Sequence, residues 1–279
     1  MNILINYANE LYRQAQKANT WSGYHIAKFD KVIEYSDKDI DEKFREDNKE
    51  ILSEKRGNGL WLWKPYFVYK TLIEINDDDL LFYCDSGAVF IKGIQPIIEI
   101  MKKNDIWITE TPLLEKQFTK KEVFDFFEAD IENIKDTNQF QGSFICLRRT
   151  NETVGLVKDW LHYCCNKYLL SADYEKSKQE ECFIAGREDQ SILSVLAKKN
   201  GITAFQDPSQ FGKIPELYWY TDRRYIKSDL LRHDYRPFIY LHRCKKIDFR
   251  CFCLFFLYCV LPKQVGVNYL KMKYKVVGK

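Results

Sequence analysis

The stretch Leu80–Phe90, LLFYCDSGAVF, decides how the rest of this chain is read. An apolar run rich in Leu, Phe and Tyr has strand character, and a bare carboxylate is costly inside such a run unless it is paired, hydrogen-bonded or metal-bound. Asp85 therefore either ends a buried strand facing a ligand or opens an ordinary turn, because Asp-Ser-Gly is also good turn chemistry. The choice rests on what surrounds it.

Outward from this point, strand-like and helix-like segments alternate over the first 200 residues. NILINYA (2–8), KVIEYS (31–36), LLFYCD (80–85), IWITE and GSFICLR (142–148) read as strands. Helical spacing marks segments within 10–29, the polar stretch to about Lys55, WLWKPYFVYKTLIEI (61–75), IQPIIEIMKKN, KKEVFDFFEA and ETVGLVKDWLHYCCNKY. DQSILSVLAKKNG (189–201) closes as a helix with Gly201 just past its basic end. Such alternation predicts an α/β fold with a mostly parallel central sheet flanked by helices. Ligands of such sheets sit beyond the carboxyl ends of the strands, which places Asn6, Tyr7, Ser36 and Asp85 on one rim, with Ser86 and Gly87 following.

Composition limits the functional classes. The chain has 279 residues, 15% of them aromatic, and a net charge of +3. From Leu241 onward nine Lys or Arg face one Asp, a net of +8, so residues 1–240 carry −5. An acidic body argues against nucleic acid as a partner. Nine cysteines, without a C-x-x-C pair and without a secretory leader in MNILINYANELYR, predict a reducing, cytoplasmic setting and no structural zinc.

Four further stretches hold groups suited to chemistry. RGNGLWLWKP (56–65) offers two glycines and then Lys64 near a helix start, an arrangement that suits a diphosphate or serves as a flexible turn anchored by Trp61 and Trp63. GREDQSILSVL (186–196) puts Asp189 and Gln190 at the open end of a helix, where they either cap it or grip hydroxyls. In QFQGSFICLRR (139–149), Gly142 permits close approach and Gln141 can hydrogen-bond a sugar; the bland reading is a plain strand entry. YLHRCKK (240–246) clusters His242, Arg243 and Lys245, fit for phosphate or for simple packing of the histidine.

Taken in order, RGNGLWLWKPYFVYKTL, LLFYCDSG, QGSFICLRR, REDQSIL and LHRCKK resemble the GT-A-fold glycosyltransferases of capsular polysaccharide and lipopolysaccharide biosynthesis, over residues 2 to about 246. The resemblance implies a nucleotide-diphosphate-sugar donor and transfer of a hexose to a hydroxyl of a glycan or lipid-linked acceptor. It gives Asp85 the place of the first carboxylate of the Asp-x-Asp motif, which meets the donor's ribose and the diphosphate-bound metal. It lets Lys64 neutralise phosphates, Asp189 and Gln190 hold the donor sugar, and His242 serve as a late ligand to metal or phosphate. The second carboxylate of the motif is replaced by Gly87. Two alternatives stay open: weak, substrate-assisted Mn²⁺ or Mg²⁺ at Asp85 and His242, or stabilisation of the leaving diphosphate by Lys64, Arg243 and Lys245. Other readings are a nucleotidyltransferase on the same sheet and an inactive glycan- or membrane-binding protein.

The expected organisation is a transferase domain over 1–248 and a basic, apolar extension over 249–279. Eleven apolar residues, 251–261, precede Pro262. That is too short to span a bilayer, but suits either shallow insertion at the inner face of the cytoplasmic membrane or a last core element.

Overall fold

The computed structural model describes residues 1–128, 131–222, 224–230 and 235–275. The last residues of the predicted extension, 276–279, lie outside the described residues. In chain order the elements that position the site are β1 (Asn2–Tyr7), α1 (Arg13–Ser22), β2 (Lys31–Tyr35), α2 (Trp63–Glu74), β3 (Leu80–Cys84) and β4 (Ala88–Phe90). There follow α3 (Gln95–Met101), β5 (Ile106–Leu114), β6 (Asn138–Arg148), α4 (Asn151–Cys164), α5 (Glu188–Lys199), β7 (Ile239–Leu241), α6 (Phe249–Phe255) and α7 (Lys263–Lys275).

Five strands form one sheet in the order β2-β1-β3-β6-β5. β1 pairs in parallel with β2 and β3, with Ile5 opposite Ile33 and Tyr83. β6 runs antiparallel to both β3 and β5, so four of the five strands point one way and β6 alone is reversed. The predicted mostly parallel α/β sheet is thus present, with one reversed strand. The reason is local: 115–118, 121–126 and 131–134 are helices of about one turn. A parallel return needs a crossover of a dozen or more residues, usually a full helix laid across the sheet. Without one, β5 and β6 pair as irregular antiparallel neighbours, with register shifts after Ile108 and Glu110.

Alternation along the strands explains why LLFYC is apolar throughout. Leu81 and Tyr83, with Ile3, Ile5, Ile145 and Leu147, pack on one side with Phe67, Leu72, Trp160 and Ile192 from the helices. Phe82 and Cys84, with Leu4, Phe144 and Cys146, pack on the other with Phe29, Phe90, Ile97 and Trp107. Covered on both faces, the central strands can carry no polar alternation.

A second, two-stranded ribbon pairs β4 with β7, Ala88 opposite Leu241 and Phe90 opposite Ile239. This ribbon carries the late His242–Arg243 segment back to the end of β3. The segment after β7 folds as α6, a wider turn over Phe256–Val260, and α7. It rests on the body through Tyr258, Val267, Leu270 and Ile214. Lys213 Nζ donates to the carbonyls of Cys259 (3.0 Å) and Leu261 (2.7 Å). Among the described residues no helix is long and apolar enough to cross a membrane.

Candidate active site

The carboxyl end of β3 opens the site. Tyr83 and Asp85 lie two residues apart, hence on one face, and the Tyr83 hydroxyl donates to Asp85 Oδ1 at 2.5 Å. The Asp85 amide is held by the Ser143 carbonyl on β6 (3.0 Å), which ends the ladder and turns the carboxylate outward, about one third exposed. Asp85 therefore ends a strand rather than decorating a surface bend. Tyr83 is fully buried, and burial, then the Asp85 charge, push its phenol well above the ordinary value, so it stays a neutral donor.

From the start of α2, Lys64 reaches the same point. Its Nζ lies 3.2 Å from Asp189 Oδ2, 3.7 Å from Asp85 Oδ1 and 3.1 Å from the Gly142 carbonyl, which accepts its hydrogen bond. Burial pushes this ammonium down, but Asp189 and Asp85 outweigh it and the net shift is upward. Asp189, in the first turn of α5, is equally buried. Burial raises its carboxyl to about 6, against the pull of Lys64. Oδ2 faces Lys64 as an ion pair without hydrogen-bond geometry and is buried with no hydrogen-bond partner. One cation between two carboxylates leaves the trio at a net −1 when both are ionised.

The glycines here have steric reasons. A Cβ on Gly142 would stand 3.4 Å from both Asp189 Oδ2 and Lys64 Nζ, so a side chain would wedge the ion pair open. The Gly142 amide donates to Gln190 Oε1 (3.1 Å), and Gln190 Nε2 donates to Gln139 (2.8 Å). Gln190 thus ties β6 to α5 and has one amide hydrogen left. A Cβ on Gly87 would stand 3.1 Å from Arg243 Cα, because Arg243 N–H donates to the Gly87 carbonyl at 2.8 Å. A side chain at position 87 would meet this backbone contact, which accounts for the glycine there.

Residues 57–61 take positive φ throughout (59°, 55°, 93°, 52° and 60°), a left-handed turn in which Leu60 and Trp61 carry strain. Of the two readings of this stretch, the flexible turn does not hold, because the turn is locked. Asn58 Nδ2 donates to the Tyr7 hydroxyl (2.6 Å) and to Asp37 (2.5 Å), and Trp63 Nε1 donates to the Gly57 carbonyl (2.9 Å). Glu188, also at positive φ (29°), takes Arg56 Nε at 2.5 Å, which fastens this turn to the start of α5. Lys64 and Asp189 are in this way fixed from both sides.

Several residues expected at the donor are spent elsewhere. Asn6 is buried, its amide donating to Asn19 (2.8 Å) and Thr20 (3.1 Å) while its oxygen accepts from Gln16 (3.0 Å), so no donor remains for a ligand. Gln141 donates to Thr109 (2.7 Å) and Asp207 (2.8 Å) in the interior. Tyr7 stacks on Trp63 at 3.8 Å and donates its hydroxyl to Asp37, and burial raises its phenol. Ser86 Oγ donates to the Tyr7 carbonyl at 2.5 Å. These four hold the rim in shape. Lys245 is exposed and its carbonyl accepts from Ala15 of α1 (3.1 Å).

His242 does not fit a metal. The Cys244 amide donates to Nδ1 at 3.0 Å, which assigns the ring proton to Nε2 and leaves no lone pair there for a cation. That Nε2 is buried without a partner, and burial pushes the imidazole down to about 4, so the ring is neutral at pH 7. Among the described residues no three His, Cys, Asp or Glu side chains form a group able to hold a metal ion. Of the two residues expected to hold a metal, only Asp85 keeps an oxygen, Oδ2, without a partner, and His242 offers no lone pair.

Sequence reasoning gave no role to Tyr83 or Arg187. Tyr83 is legible from the two-residue period that puts it beside Asp85. Arg187 is hidden by its neighbours, since an arginine before Glu188 and Asp189 reads as their ion-pair partner.

No family model matches this chain, and no curated protein does. Among solved structures it is similar to the apo form of mouse xyloside xylosyltransferase 1 (TM-score 0.49, 11% identity, covering 89% of this chain and 100% of that one). It is similar to glycosyltransferase GlyE of Streptococcus pneumoniae TIGR4 (0.47, 11%, 97% of this chain and 63% of that one), so it spans under two thirds of GlyE. Galactosyltransferase LgtC, solved with donor and acceptor sugar analogs, is also similar (0.42, 13%, 87% of each chain).

Proposed function

We propose that this protein is a glycosyltransferase that moves a hexose from a nucleotide-diphosphate sugar to a hydroxyl of a glycan or lipid-linked acceptor. The observation that carries this reading is the convergence of Lys64, Asp85 and Asp189 beyond the carboxyl end of the sheet, where α/β folds bind ligands. Asp85, with a free Oδ2, accepts from ribose hydroxyls. Asp189 Oδ1 accepts from the donor sugar or takes the acceptor's proton, its raised pKa lying near the range a general base needs. Lys64 keeps Asp189 ionised and oriented.

A thermal-shift screen with UDP-, GDP- and dTDP-sugars, with and without Mn²⁺, tests it. One donor is expected to raise the melting temperature as its concentration exceeds its Kd, and to be hydrolysed slowly without acceptor. Stability unchanged by every donor refutes the reading; binding without turnover favours an inactive binding protein.

The same reading takes the extension as a contact with an anionic membrane face, supporting an inner-leaflet location. Phe249 (81% exposed), Phe252 (59%), Phe256 (47%) and Val260 (53%) follow at three- and four-residue steps, flanked by exposed Lys245, Lys246 and Arg250. The protein is expected to pellet with vesicles containing phosphatidylglycerol. Replacing all three phenylalanines by serine should abolish pelleting; if it does not, the contact lies elsewhere.

A further inference from the structure

Two arginines beside this site stand without a carboxylate. The Arg187 guanidinium lies 4.1 Å from the centroid of the Phe118 ring, and that of Arg243 lies 4.8 Å from the Phe211 ring. These rings belong to one aromatic wall: Phe118 meets Tyr225 at 5.4 Å, Phe211 meets Tyr218 at 4.7 Å, and Tyr218 packs with Phe118 and Leu113. The Tyr218 hydroxyl feels both positive charges. Burial, and after it the like charge of Arg243, hold the Arg187 guanidinium below its ordinary value, with Tyr218 opposing.

Neither arginine makes an ion pair among the described residues, and the carboxylates that could answer them are already engaged. Glu188 takes Arg56, and Asp85 and Asp189 share Lys64. Asp207 accepts from Gln141 and from the Ser209 amide, and Glu115 pairs with Lys198. Arg243 is exposed at the rim and Arg187 lies deeper, their like charges act on each other, and stacking on rings does not remove that repulsion. Beside Arg243, the buried Nε2–H of His242 also lacks an acceptor. Asp207 acts on Arg243 and Glu115 on Arg187 only from beyond ion-pair distance, so the two guanidiniums and the Nε2–H, with no ion pair or acceptor of their own among the described residues, define a site for an anion.

We propose that Arg187 and Arg243 clamp the diphosphate of the donor, with His242 Nε2–H as a third donor; this rests on the nucleotide-sugar reading above. The charges match. The diphosphate of a nucleotide sugar carries two negative charges, and the clamp carries two positive ones. Lys64 cannot supply them, because its trio with Asp85 and Asp189 is itself net negative. The placement matches too. Arg187 stands two residues before Asp189, and Arg243 is bonded through its amide to Gly87, two residues after Asp85. Planar guanidinium forks suit paired phosphate oxygens better than ammonium groups do. During transfer, the acceptor oxygen bonds to the anomeric carbon and its proton leaves to a base. The bond from that carbon to the diphosphate oxygen breaks, and its electron pair stays on the nucleoside diphosphate. The third negative charge then develops against the clamp.

Calorimetry in excess EDTA tests this, with inorganic pyrophosphate and with whichever of UDP, GDP and dTDP binds the wild type. Arg187→Gln should weaken both probes at least tenfold and the matching nucleoside less than twofold, with Arg187→Lys in between. A nucleoside diphosphate that binds Arg187→Gln as tightly as wild type overturns the clamp and leaves the donor reading intact. Pyrophosphate binding that depends on Arg187, with no nucleotide binding, supports the clamp as an anion site and overturns the donor reading. Absence of both overturns both. A measurement on the wild type covers the case of a misfolded variant: saturating pyrophosphate should protect Arg187 and Arg243 from phenylglyoxal, read by peptide mass spectrometry. Modification at an unchanged rate overturns the clamp.

Discussion

Replacing Lys64 by methionine removes the one cation in the buried trio, and the outcome follows from burial and pH together. Lys64 and Asp189 are about 5% and 4% exposed, so water screens their attraction poorly. Breaking a buried pair by deleting one partner costs about 3–5 kcal/mol, most of it the penalty on the stranded charge. That penalty is specific to ionised Asp189. Even with Lys64 present its carboxyl is raised from 3.8 to about 6. At about 1.4 kcal/mol per unit, the native state is about 3 kcal/mol less stable above pH 6 than it would be with that carboxyl protonated. The sign follows from linkage: the native form binds the proton more tightly than the unfolded chain, so stability falls as pH rises from about 4 to 6 and levels off above. Without Lys64 the folded pKa moves higher still. The Lys64→Met deficit should therefore be fullest near pH 8 and shrink by up to about 1.4 kcal/mol per unit as the pH drops through the new pKa. Urea unfolding of wild type and variant at pH 5, 6, 7 and 8 measures it. A deficit that is the same at all four pH values would show that Asp189 is not held ionised by Lys64, and the electrostatic account of the site would fail.

Three further outcomes follow. Asp189→Asn should lower kcat on the donor that binds by roughly 10²-fold or more while changing its Kd only a few-fold; unchanged kcat removes Asp189 from the chemistry. Gly87→Asp, which restores the second carboxylate of the resembled motif, should lower stability by about 1–3 kcal/mol, since its Cβ meets the Arg243 backbone at 3.1 Å. Scanning calorimetry reads the loss, and titration with Mn²⁺ should find no gain in affinity; an intact melting temperature with new Mn²⁺ binding contradicts the geometry. The Cys244 and Cys251 sulfurs stand 3.0 Å apart as free thiols, so diamide should oxidise this pair ahead of the other seven cysteines; peptide mapping checks this, and burial, which pushes Cys251 up to about 11, should make the reaction faster at pH 9 than at pH 7.

What was legible in the sequence was periodicity and strand ends. LLFYC reads as a strand buried on both faces, and its last residue places Asp85 on the rim. Direction was not legible, because a two-residue period is the same whichever way a strand runs. The reversal of β6 comes from helices too short to carry a parallel crossover, and their length depends on tertiary packing. Within the site, the types of Lys64, Asp85 and Asp189 were readable, but their meeting was not. It depends on Gly142, which brings the β6 backbone between two residues 125 positions apart. Asn6 and Gln141 show the opposite failure. An amide near a strand end suggests a ligand, yet both are consumed by side chains from other elements. The tautomer of His242 is set by a main-chain amide two residues on, which residue type alone cannot reveal.

The contact between Gly87 and Arg243 joins these points. Where the resembled motif has a second carboxylate, this chain brings a backbone carbonyl to the Arg243 amide, and β7 closes on β4 because no side chain intervenes. The exchange reverses the sign of charge at that position, from an acid that would hold a cation to a guanidinium that would hold an anion. His242, one residue earlier, changes in the same sense, since its unpaired ring nitrogen carries an N–H and not a lone pair. Arg187 completes the set only because Glu188 turns away to Arg56 through a strained backbone, at φ 29°, and Asp189 turns to Lys64. Strain of that kind costs about 1–3 kcal/mol and persists where surrounding contacts over-determine it. Here the strained residue lies between the buried Asp189 and Arg187, and relaxing it would move both. A bound diphosphate would recover part of that cost by neutralising the arginines, so ligand binding and the stability of the first turn of α5 should rise together.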